Sequence, residues 1–521
     1  MRKIFSLECV RVYVIPIVIC YLLSFLDALC QQSPDKLSFG GWAGVFLRPF
    51  ISGLFLAFFL LIAGRFAKWI FIVVFPIILA VVFIQFFVRL SFGWNFAGDW
   101  LMMFKATSSR ETSLFLQDNA IPLLLTLIAY LLVSTFFVYV LRHLRFPKNR
   151  WRVRTFIATL LLIPFVLAEL LPHYLGSYTY RSTMCYKVIT DTMACSRIYT
   201  DLGEVVAHPE LPPVVGTSVT CSELPVCVFL IGESMTRNNM QIYGYERATT
   251  PDLEKIKDEL CIFSDVVGVW NQTPMAVRYL FTGASFEDQA HSHYTFSEIC
   301  KRAGYRTSYY SRQGRFGKFN SIVTYVFAAC DPKVYLSEVM PEPIYDIDLL
   351  PYFEKQLHET TEPQVIFLHL YGCHFPYELF TPPNDKVFKS QNKLMDDYDA
   401  AVRHDDRLIG RIIENLRALK RPSVLFYVSD HGESPRSKSW RDISSPDMWE
   451  LPVVVWFSEE YRKKFPLTVA RLEAAKDLPL QSDLLLPGIL DIVQISDTSL
   501  PIEIKGRNRR FTHMWTKEYT R

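Results

Sequence analysis

The chain has 521 residues, of which 50% are hydrophobic, 15% aromatic and 21% charged, and its mean hydropathy is +0.16. This composition is too apolar for a wholly soluble protein and too polar for a bundle that lies entirely in a membrane, and it excludes a disordered chain or a coiled coil. A formal net charge of +3 is too small to indicate a nucleic-acid binder, so we expect no nucleic-acid partner.

Five uncharged, mostly apolar stretches near the N-terminus are predicted to be membrane spans. They lie between Arg11 and Asp27, Arg48 and Arg65, Lys68 and Arg89, Asp118 and Arg142, and Arg154 and Glu169. The third and fourth are long enough on their own, because a helix needs about 20 residues to cross about 30 Å of hydrocarbon. We therefore predict an α-helical transmembrane domain over residues 1–175.

The distribution of lysine and arginine predicts the orientation of these spans. Basic residues precede the first span, fill the link between the second and third, and crowd the link 142–154 between the fourth and fifth. These segments should be cytoplasmic, together with the N-terminus. The outer loop 89–118 and everything after the fifth span should lie on the far side. The further spans after the first argue against a cleaved signal peptide.

Residues 176–521 have a different character and are predicted to form an α/β domain. Short β-rich runs alternate with helical patterns, such as one over 406–419, which is typical of βα units around a mostly parallel sheet. The predicted strands are Val226–Ile231, Val365–Leu370, Val424–Val428 and Val453–Phe457.

Eight cysteines follow the last predicted span, and an oxidising compartment would allow them to pair. The close spacings of Cys185 with Cys195 and of Cys221 with Cys227 suggest two pairs. Spacing alone does not determine the connectivity.

Polar residues that can bind a metal follow three of the predicted strands. Glu233 follows the first, His374 lies shortly after the second, and Asp430 and His431 follow the third. Ligands in open α/β sheets sit beyond the carboxyl ends of the strands, so Glu233, Asp430 and His431 are expected to converge. Two carboxylates and an imidazole suit Zn²⁺, our first choice, or Mn²⁺. The alternative is that each acidic residue merely caps a helix.

A hydroxyl beside such a metal is a candidate nucleophile. Thr273 directly precedes Pro274, and threonine at the N-cap with proline at N1 is a preferred helix start. Its hydroxyl would lie at the positive end of a helix, where phosphate binds readily, and a metal could deprotonate it. An ordinary helix cap is the alternative, and Ser234 and Thr236 are rival hydroxyls beside Glu233.

The segment from Leu230 to Pro251, which reads LIGESMTRNNMQIYGYERATTP, resembles the opening motif of the bacterial phosphoethanolamine transferases. These are membrane members of the sulfatase and alkaline phosphatase superfamily. The similarity continues, in the order and spacing of the family, through Thr273, Gly372-Cys-His374, Tyr398-Asp399 and Ser429-Asp-His-Gly-Glu433. It implies an alkaline phosphatase/sulfatase-like fold, and about five membrane helices followed by a periplasmic catalytic domain at the bacterial inner membrane.

The resemblance also implies roles for single residues. Zinc would be bound by Glu233, Asp430, His431 and Thr273, and Thr273 would become phosphoethanolaminylated. His374 would lie near the substrate phosphate. Glu111, in the outer loop, would meet the amine of ethanolamine.

The sequence departs from the family at two positions. A second histidine usually precedes the proline of the next strand, but the segment from Pro446 to Pro452 has none, which puts a second metal site or a leaving-group acid in doubt. Asp447 or Glu450 are candidate substitutes. His404 replaces the second tyrosine of the motif that begins at Tyr398, and we interpret it as structural.

The implied activity is zinc-dependent transfer of phosphoethanolamine from phosphatidylethanolamine to lipopolysaccharide, in its core or lipid A, or to another envelope glycan, through a phosphothreonine. A phosphoglycerol transferase or phosphodiesterase of the same superfamily is the nearest alternative. An inactive membrane scaffold is the alternative from another class. The sequence identifies neither the acceptor nor the oligomeric state.

Overall fold

The protein is described here by a computed structural model. The residues that the structure describes are 13–31, 53–54, 56–62, 65–92, 116, 119–144, 151–170, 193, 217–221, 223–285, 295–314, 320–436 and 445–497. The chain divides into two compact units, residues 1–199 and 200–521.

The first unit is helical. Its helices are α1 (Ile15–Gln31), α2 (Arg65–Phe92), α3 (Ala120–His143) and α4 (Trp151–Leu170). Within the part of the chain that the structure describes, two helical segments are long and apolar enough to cross a membrane, Lys68–Val88 and Ala120–His143, and Ile15–Leu26 is a shorter apolar helix. The five predicted spans therefore stay a prediction.

Aromatic side chains hold α2 against α3. The rings of Phe75 and Phe137 lie 6.0 Å apart in an edge-to-face arrangement, as do those of Phe83 and Tyr130. The ammonium of Lys68 donates to the carbonyl of Leu144 at 3.2 Å, where α3 ends. A cation at this position satisfies carbonyls that the helix leaves without partners.

The second unit contains a central sheet of seven strands in the order β3-β10-β8-β2-β7-β5-β6, a sheet of three in the order β11-β4-β9, and the pair β1-β12. The strands are β1 (Thr217–Val219), β2 (Val226–Gly232), β3 (Leu260–Ile262), β4 (Val266–Val267), β5 (Arg306–Ser311), β6 (Lys333–Tyr335), β7 (Gln364–His369), β8 (Ser423–Ser429), β9 (Glu450–Leu451), β10 (Val453–Phe457), β11 (Leu480–Gln481) and β12 (Ile495–Asp497).

Helices cover both faces of the central sheet, so its inner strands are buried on both sides. Phe229 of β2 faces one core and Leu230 faces the other. The helices are α5 (Pro251–Lys255), α6 (Thr273–Phe281), α7 (Phe296–Arg302), α8 (Asn320–Val326), α9 (Leu336–Val339), α10 (Leu350–Glu359), α11 (Tyr377–Phe380), α12 (Lys393–Ala418), α13 (Glu459–Lys464), α14 (Pro466–Ala475) and α15 (Leu486–Ile492). Helices α6 to α8 and α13 to α15 contribute to the core around Phe229, and α10 and α12 contribute to the core around Leu230.

All four predicted strands exist, and the prediction of an α/β domain is confirmed, but the sheet is mixed. Strands β8, β2, β7, β5 and β6 are parallel, whereas β10 pairs antiparallel with both β8 and β3. A parallel neighbour needs a long crossover, usually a helix. In the described residues between β8 and β10 the connection contains only the 3-10 helix Pro446–Met448 and β9.

Helix α12 is longer than the predicted segment 406–419, because it begins at Lys393. Asn392 caps it, accepting a hydrogen bond from the backbone N–H of Met395 at 3.2 Å. Its first half buries Asp396 and Asp399, which bind partners elsewhere in the fold, so the apolar period is interrupted there.

The described cysteines of the second unit are free thiols, namely Cys221, Cys227, Cys261, Cys300, Cys330 and Cys373. The suggested pair of Cys221 with Cys227 is therefore wrong: the Cys227 side chain packs in the core from β2, whereas the Cys221 thiol is half-exposed and donates to the carbonyl of Glu223. Cys185 and Cys195 lie outside the described residues.

Candidate metal and phosphoryl-transfer site

The site begins where β2 and β8 end side by side. Gly232 and Ser429 are paired in register, and the backbone N–H of Asp430 donates to the carbonyl of Gly232 at 3.1 Å. Glu233 and Asp430 are thus neighbours although they are far apart in the sequence. The two strands pair through continuous apolar residues, which leave the polar groups just beyond their carboxyl ends.

Glu233, Asp430 and His431 form a buried group that we call the candidate metal cluster. One ligand atom from each residue lies within 4.8 Å of the others. His431 Nε2 is 3.3 Å from Glu233 Oε1 and 3.6 Å from Asp430 Oδ2. The predicted convergence of these three residues is thus found in the structure.

Hydrogen bonds fix which atoms face the centre of the cluster. His431 Nδ1 lies 2.9 Å from the carbonyl oxygen of Gly432, so Nδ1 keeps a proton and Nε2 is the nitrogen that faces Glu233 and Asp430. Asp430 Oδ1 accepts from the backbone N–H groups of Ser234 and His431 at 3.2 and 2.7 Å. Asp430 Oδ2 accepts no hydrogen bond from any described residue.

Gly432 is required by a close approach of the chain. A Cβ at this position would lie 2.0 Å from the carbonyl oxygen of Asp447. The same approach lets the Gly432 N–H donate to the carbonyl of Met448 at 3.0 Å. The turn that aims His431 therefore tolerates only glycine.

The two carboxylates of the cluster have opposite pKa shifts. Burial, followed by the charge of Glu233, raises the pKa of Asp430 to about 7. Burial also acts to raise the pKa of Glu233, but the hydrogen bond and charge of His431 and the charge of His374 bring it well below the usual range. Without a cation the pair therefore shares a proton, because two adjacent buried carboxylates do not both ionise easily.

These residues fit a divalent cation. Among the described residues, the ion-pair partner of Glu233 and Asp430 is His431, and neither carboxylate pairs with a lysine or an arginine. Carboxylate oxygens and an imidazole nitrogen are the ligand types of Zn²⁺ or Mn²⁺. The cluster offers two carboxylates and one imidazole, and Asp430 Oδ2 accepts no hydrogen bond from a described residue. A cation here would supply the charge that the buried cluster lacks.

Thr273 lies at the edge of the candidate metal cluster. Its hydroxyl donates to Glu233 Oε2 at 2.8 Å, and the side chain is half-buried. Helix α6 begins at Thr273 itself with Gln272 before it, so Thr273 is the first helical residue and not the cap that we predicted. Helix assignments differ by a residue at their ends, and the hydroxyl still lies at the helix N-terminus.

The rival hydroxyls are differently placed. Ser234 is fully buried, has a positive φ of 59°, and donates to Glu233 Oε1 at 2.8 Å. The Thr236 hydroxyl lies 3.4 Å from the carbonyl oxygen of Glu450. Thr273 is thus the more exposed of the two hydroxyls that contact Glu233.

His374 lies in the turn after β7, and its side chain is half-buried. Its Nδ1 is 2.6 Å from the carbonyl oxygen of Phe375, and its charge lowers the pKa of Glu233. His374 is thus near the cluster without belonging to it. Glu111, predicted to bind substrate, lies outside the described residues.

Asp447 and Glu450 are the candidate substitutes for the histidine that the sequence lacks. Asn238 Nδ2 donates to Asp447 Oδ1 at 2.7 Å and to Glu450 Oε2 at 2.6 Å. Arg436 pairs with Asp447 at 3.0 Å, and Arg237 with Glu450 at 3.3 Å. We call these five residues the guanidinium network. Both carboxylates are thus paired with arginines and lie outside the candidate metal cluster, and their role as substitutes for the missing histidine stays a prediction.

Tyr398 and Asp399 hold the segment that carries Glu233. The Tyr398 hydroxyl donates to the carbonyl of Ser234 and accepts from the N–H of Thr236, both at 2.9 Å. Asp399 accepts hydrogen bonds from three side chains, those of Asn239, Tyr245 and Arg247. This part of the family motif therefore positions the site and does not belong to the cluster.

His404 is structural, as we interpreted it. Its Nδ1 lies 2.7 Å from Asp385 Oδ2, and its Nε2 accepts from the N–H of Ile347 at 3.3 Å. Both ring nitrogens are occupied away from the candidate metal cluster.

Gln313 contacts the cluster and was missed in the sequence. Its side-chain amide donates to Glu233 Oε2 at 2.7 Å. Gln313 follows β5, a central strand whose residues Arg306–Ser311 are mostly polar, so this strand has no apolar run to mark it. The rule that ligand residues follow strand ends would have found Gln313 once β5 was known.

Comparison with known proteins agrees with this fold. The model of the sulfatase family matches residues 225–495, more than half of the chain. The chain therefore belongs to the sulfatase family, within the alkaline phosphatase-like superfamily.

Several curated relatives are named phosphoethanolamine transferases, which confirms the resemblance seen in the sequence. Phosphoethanolamine transferase EptC of Escherichia coli (strain K12) is 26% identical over 286 residues, which cover 49% of each chain. The chain therefore spans about half the length of the curated relatives that it matches.

Two solved structures share the fold. The integral membrane protein lipooligosaccharide phosphoethanolamine transferase A (EptA) of Neisseria meningitidis matches with a TM-score of 0.69 and 18% identity, over 94% of this chain and 98% of that one. The C-terminal periplasmic domain of Escherichia coli EptC in complex with Zn matches with a TM-score of 0.50 and 23% identity, over 57% of this chain and 90% of that one. At these identities the similarity establishes the fold.

Proposed function

We propose that the protein is a zinc-dependent phosphoethanolamine transferase of the bacterial inner membrane. It moves phosphoethanolamine from phosphatidylethanolamine to lipopolysaccharide, in its core or lipid A, or to another envelope glycan. The observation that carries the proposal is the 2.8 Å hydrogen bond from the Thr273 hydroxyl to Glu233 of the candidate metal cluster. The names of EptC and of lipooligosaccharide phosphoethanolamine transferase A support this chemistry and a glycolipid acceptor.

Glu233, Asp430, His431 and Thr273 are the residues that would hold the zinc ion, with Mn²⁺ as the second choice. When bound, a divalent ion favours the deprotonated form of a coordinated hydroxyl and offsets charge on phosphoryl oxygens. The complex of the EptC periplasmic domain with Zn supports the choice of metal.

Thr273 is the nucleophile of the first half-reaction. Its Oγ1 forms a bond to the phosphorus of the lipid, the bond from phosphorus to the diacylglycerol oxygen breaks, and that oxygen takes up a proton. Glu233 Oε2 accepts the hydroxyl hydrogen and so orients the lone pairs of Oγ1 away from the carboxylate. The N-terminus of α6 and the nearby His374 stabilise charge on the phosphoryl group.

The second half-reaction restores the enzyme. An oxygen of the acceptor attacks the phosphothreonine, the bond between phosphorus and Thr273 Oγ1 breaks, and the proton released by the acceptor returns to Thr273. The donor product leaves before the acceptor reacts, so the kinetics are ping-pong.

The membrane attachment has a physical reason. A donor with two acyl chains leaves the bilayer only at about 0.8 kcal/mol for each CH₂ exposed to water. We place residues 1–175 in the membrane as about five spans with a cytoplasmic N-terminus, and residues 176–521 in the periplasm. The two apolar helices long enough to cross a membrane support this placement. Glu111, in loop 89–118, would bind the amine of ethanolamine.

The experiment is mass spectrometry of the full-length protein, purified in detergent and incubated with phosphatidylethanolamine and Zn²⁺. The wild type is expected to gain one phosphoethanolamine group on a peptide that contains Thr273. Thr273→Ala should gain none, whereas Thr236→Ala, the control for a rival hydroxyl that contacts the carbonyl of Glu450 and not Glu233, should still gain it.

Other outcomes would identify the competing functions. A phosphoglycerol adduct after incubation with phosphatidylglycerol, and none with phosphatidylethanolamine, would indicate a phosphoglycerol transferase. Release of the lipid headgroup without an adduct would indicate a phosphodiesterase, and no zinc, adduct or release would indicate a scaffold. Lipopolysaccharide extracted from cells that express wild type or Thr273→Ala would identify the acceptor.

A further inference from the structure

A chain of three polar side chains lies behind Glu233. Gln313 Nε2 is 2.7 Å from Glu233 Oε2, 2.9 Å from the carbonyl oxygen of Leu370 and 3.0 Å from His369 Nε2. His369 Nδ1 is 2.8 Å from the Tyr309 hydroxyl. These residues lie at or near the carboxyl ends of β5 and β7. Strand β7 pairs in parallel with β5 on one side and with β2, which leads to Glu233, on the other.

The partners of Gln313 determine the orientation of its amide. A carboxylate and a backbone carbonyl are acceptors only, so the NH₂ group must face Glu233 and Leu370, and a flipped amide would place its oxygen against both. Its two hydrogens are then used on obligate acceptors. The short contact with His369 Nε2 requires this nitrogen to carry no hydrogen.

His369 is therefore neutral and donates from Nδ1 to Tyr309. It is fully buried, and burial lowers its pKa to about 4. The Tyr309 ring stacks on Phe327 with the ring centres 4.4 Å apart, inside the core around Phe229. The chain of side chains thus ends in packed aromatic residues and cannot rotate freely.

The backbone of Gln313 is also held. Its N–H donates to Ser311 Oγ at 3.0 Å, and the neighbouring Arg312 N–H donates to the carbonyl of His369 at 2.9 Å. Arg312 is itself buried, and its Nε donates to the carbonyl of Ile344 at 2.9 Å. The amide of Gln313 therefore approaches Glu233 from a fixed direction.

An amide suits this position better than a charged donor. Glu233 also accepts hydrogen bonds from Ser234 at Oε1 and from Thr273 at Oε2, so all its described side-chain donors other than His431 are neutral. Neutral donors orient a carboxylate without cancelling its charge. A lysine or arginine would compete with a divalent cation for the same charge.

We propose that Gln313 is a positioning residue that fixes Glu233 for the binding of a divalent cation, and that His369 and Tyr309 fix Gln313. The inference rests on the proposed function only in taking the Glu233 cluster to be a zinc site. It assigns Gln313 no contact with the substrate.

The test measures the zinc affinity of the full-length protein in detergent by competition with a chromophoric chelator. Gln313→Ala and Gln313→Leu are each expected to bind zinc about 10–100-fold more weakly than wild type, the usual cost of removing a residue that orients a metal ligand. The leucine variant fills the space of the glutamine, so it separates the lost hydrogen bond from a cavity.

Gln356→Ala is the matched control. Gln356 is fully buried, whereas Gln313 is half-buried, so Gln356→Ala is a demanding control. Gln356 bonds to Tyr310 and Gln364 and lies on the other face of the sheet, since Tyr309 and Tyr310 point into different cores. Its loss should lower the melting temperature in chelator about as much as the loss of Gln313, and it should change the zinc affinity less than twofold.

The outcomes separate this inference from the proposed function. If wild type binds zinc and forms the Thr273 adduct while both Gln313 variants keep the wild-type affinity within twofold, the positioning role is wrong and the proposed function stands. An equal loss of affinity in Gln356→Ala would show a general structural effect and would also overturn the positioning role. If wild type binds no zinc, the proposed function fails first.

Discussion

The candidate metal cluster and the guanidinium network both include residues of the segment 233–238, and each contains two carboxylates. In the guanidinium network Asp447 is buried and Glu450 is partly exposed, and each is paired with an arginine. In the candidate metal cluster Glu233 and Asp430 are buried, and among the described residues their ion-pair partner is His431. The two clusters therefore differ in what offsets the negative charge of their carboxylates: arginines in the guanidinium network, and His431 in the candidate metal cluster.

This difference explains why one cluster is structural and the other is available for chemistry. Fixed guanidinium groups neutralise a carboxylate permanently and leave it no site for a ligand. A buried pair of carboxylates without such partners must share a proton or bind a cation. The fold tolerates the second arrangement because hydroxyl, amide and backbone N–H groups satisfy most of the oxygens.

Asp430→Asn should have the largest effect, with Asp447→Asn as its counterpart in the other cluster. Removing a ligand charge should weaken zinc binding at least about 100-fold, more than the loss of an orienting residue does, and should abolish the adduct on Thr273. Asp447→Asn should retain the metal. The zinc content of both variants after dialysis would be measured by mass spectrometry. Equal loss of zinc from Asp430→Asn and Asp447→Asn would contradict the proposed difference between the two clusters.

Removal of the metal should lower the melting temperature of wild type by roughly 10 °C. A ligand present at about 1,000 times its Kd stabilises a protein by about 4 kcal/mol, and each kcal/mol corresponds to about 2–4 °C in a domain of this size. Asp430→Asn should not respond to zinc, and in chelator it should melt above wild type, because it removes the repulsion between Glu233 and Asp430. Thermal scans of full-length protein with zinc or with chelator test both statements.

Asp405 is a buried carboxylate that has neither kind of cationic partner among the described residues. Asp405 is fully buried and neither of its oxygens has a hydrogen-bond partner among the described residues. Burial, with the charges of Asp346, Asp385 and Asp406, raises its pKa well above the usual range. Asp405 therefore loses its negative charge by binding a proton, whereas the candidate metal cluster would offset its charge by binding a metal ion.

The raised pKa of Asp405 predicts the direction of a pH effect. The unfolded chain loses this proton near its ordinary pKa of about 4, whereas the folded chain retains it. The contribution to stability is therefore complete below pH 4 and is lost as the pH rises toward the folded pKa. Asp405→Asn should melt about 2–4 °C above wild type at pH 8, a gain of about 1 kcal/mol, and should gain less at pH 5.

Asp397→Asn is the control for this pH effect. Asp397 lies on the same helix and pairs with the exposed Lys393 at 2.6 Å. Its variant should not reproduce the rise at pH 8. An equal gain at both pH values in Asp405→Asn would show that its effect is not electrostatic.

Arg436→Met should have the smallest effect on the melting temperature and on zinc binding. The Arg436 side chain is 38% exposed, so its ion pair with Asp447 is worth about 0–1 kcal/mol. The melting temperature should fall by no more than about 3 °C, and the zinc content should not change. Loss of zinc in this variant would mean that the two clusters are not independent.

Much of the candidate site could be predicted because its signals are local. Apolar runs identified β2, β7 and β8, and the residues that follow them include Glu233, Asp430 and His431. Their convergence then required only the rule that ligands gather beyond the carboxyl ends of parallel strands. The polar strand β5 gave no such signal, and Gln313 was missed with it.

Other features could not be predicted, because they depend on contacts between distant segments. The antiparallel direction of β10 is set by its pairing with β8 and β3, and the start of α12 depends on partners that stabilise Asp396 and Asp399. The ion pairs of Asp447 with Arg436 and of Glu450 with Arg237 are a further example. No spacing in the sequence reports these pairs.

The sequence by itself identified the candidate site residues and the class of protein, because the strand-forming runs and the motifs that follow them occupy consecutive positions. Only the tertiary structure decided which carboxylates are compensated, which nitrogen of His431 faces the cluster, and which neutral donors hold Glu233. These properties depend on burial and on hydrogen bonds between atoms a few ångströms apart. They are set by how the strands align, and not by the order of the residues.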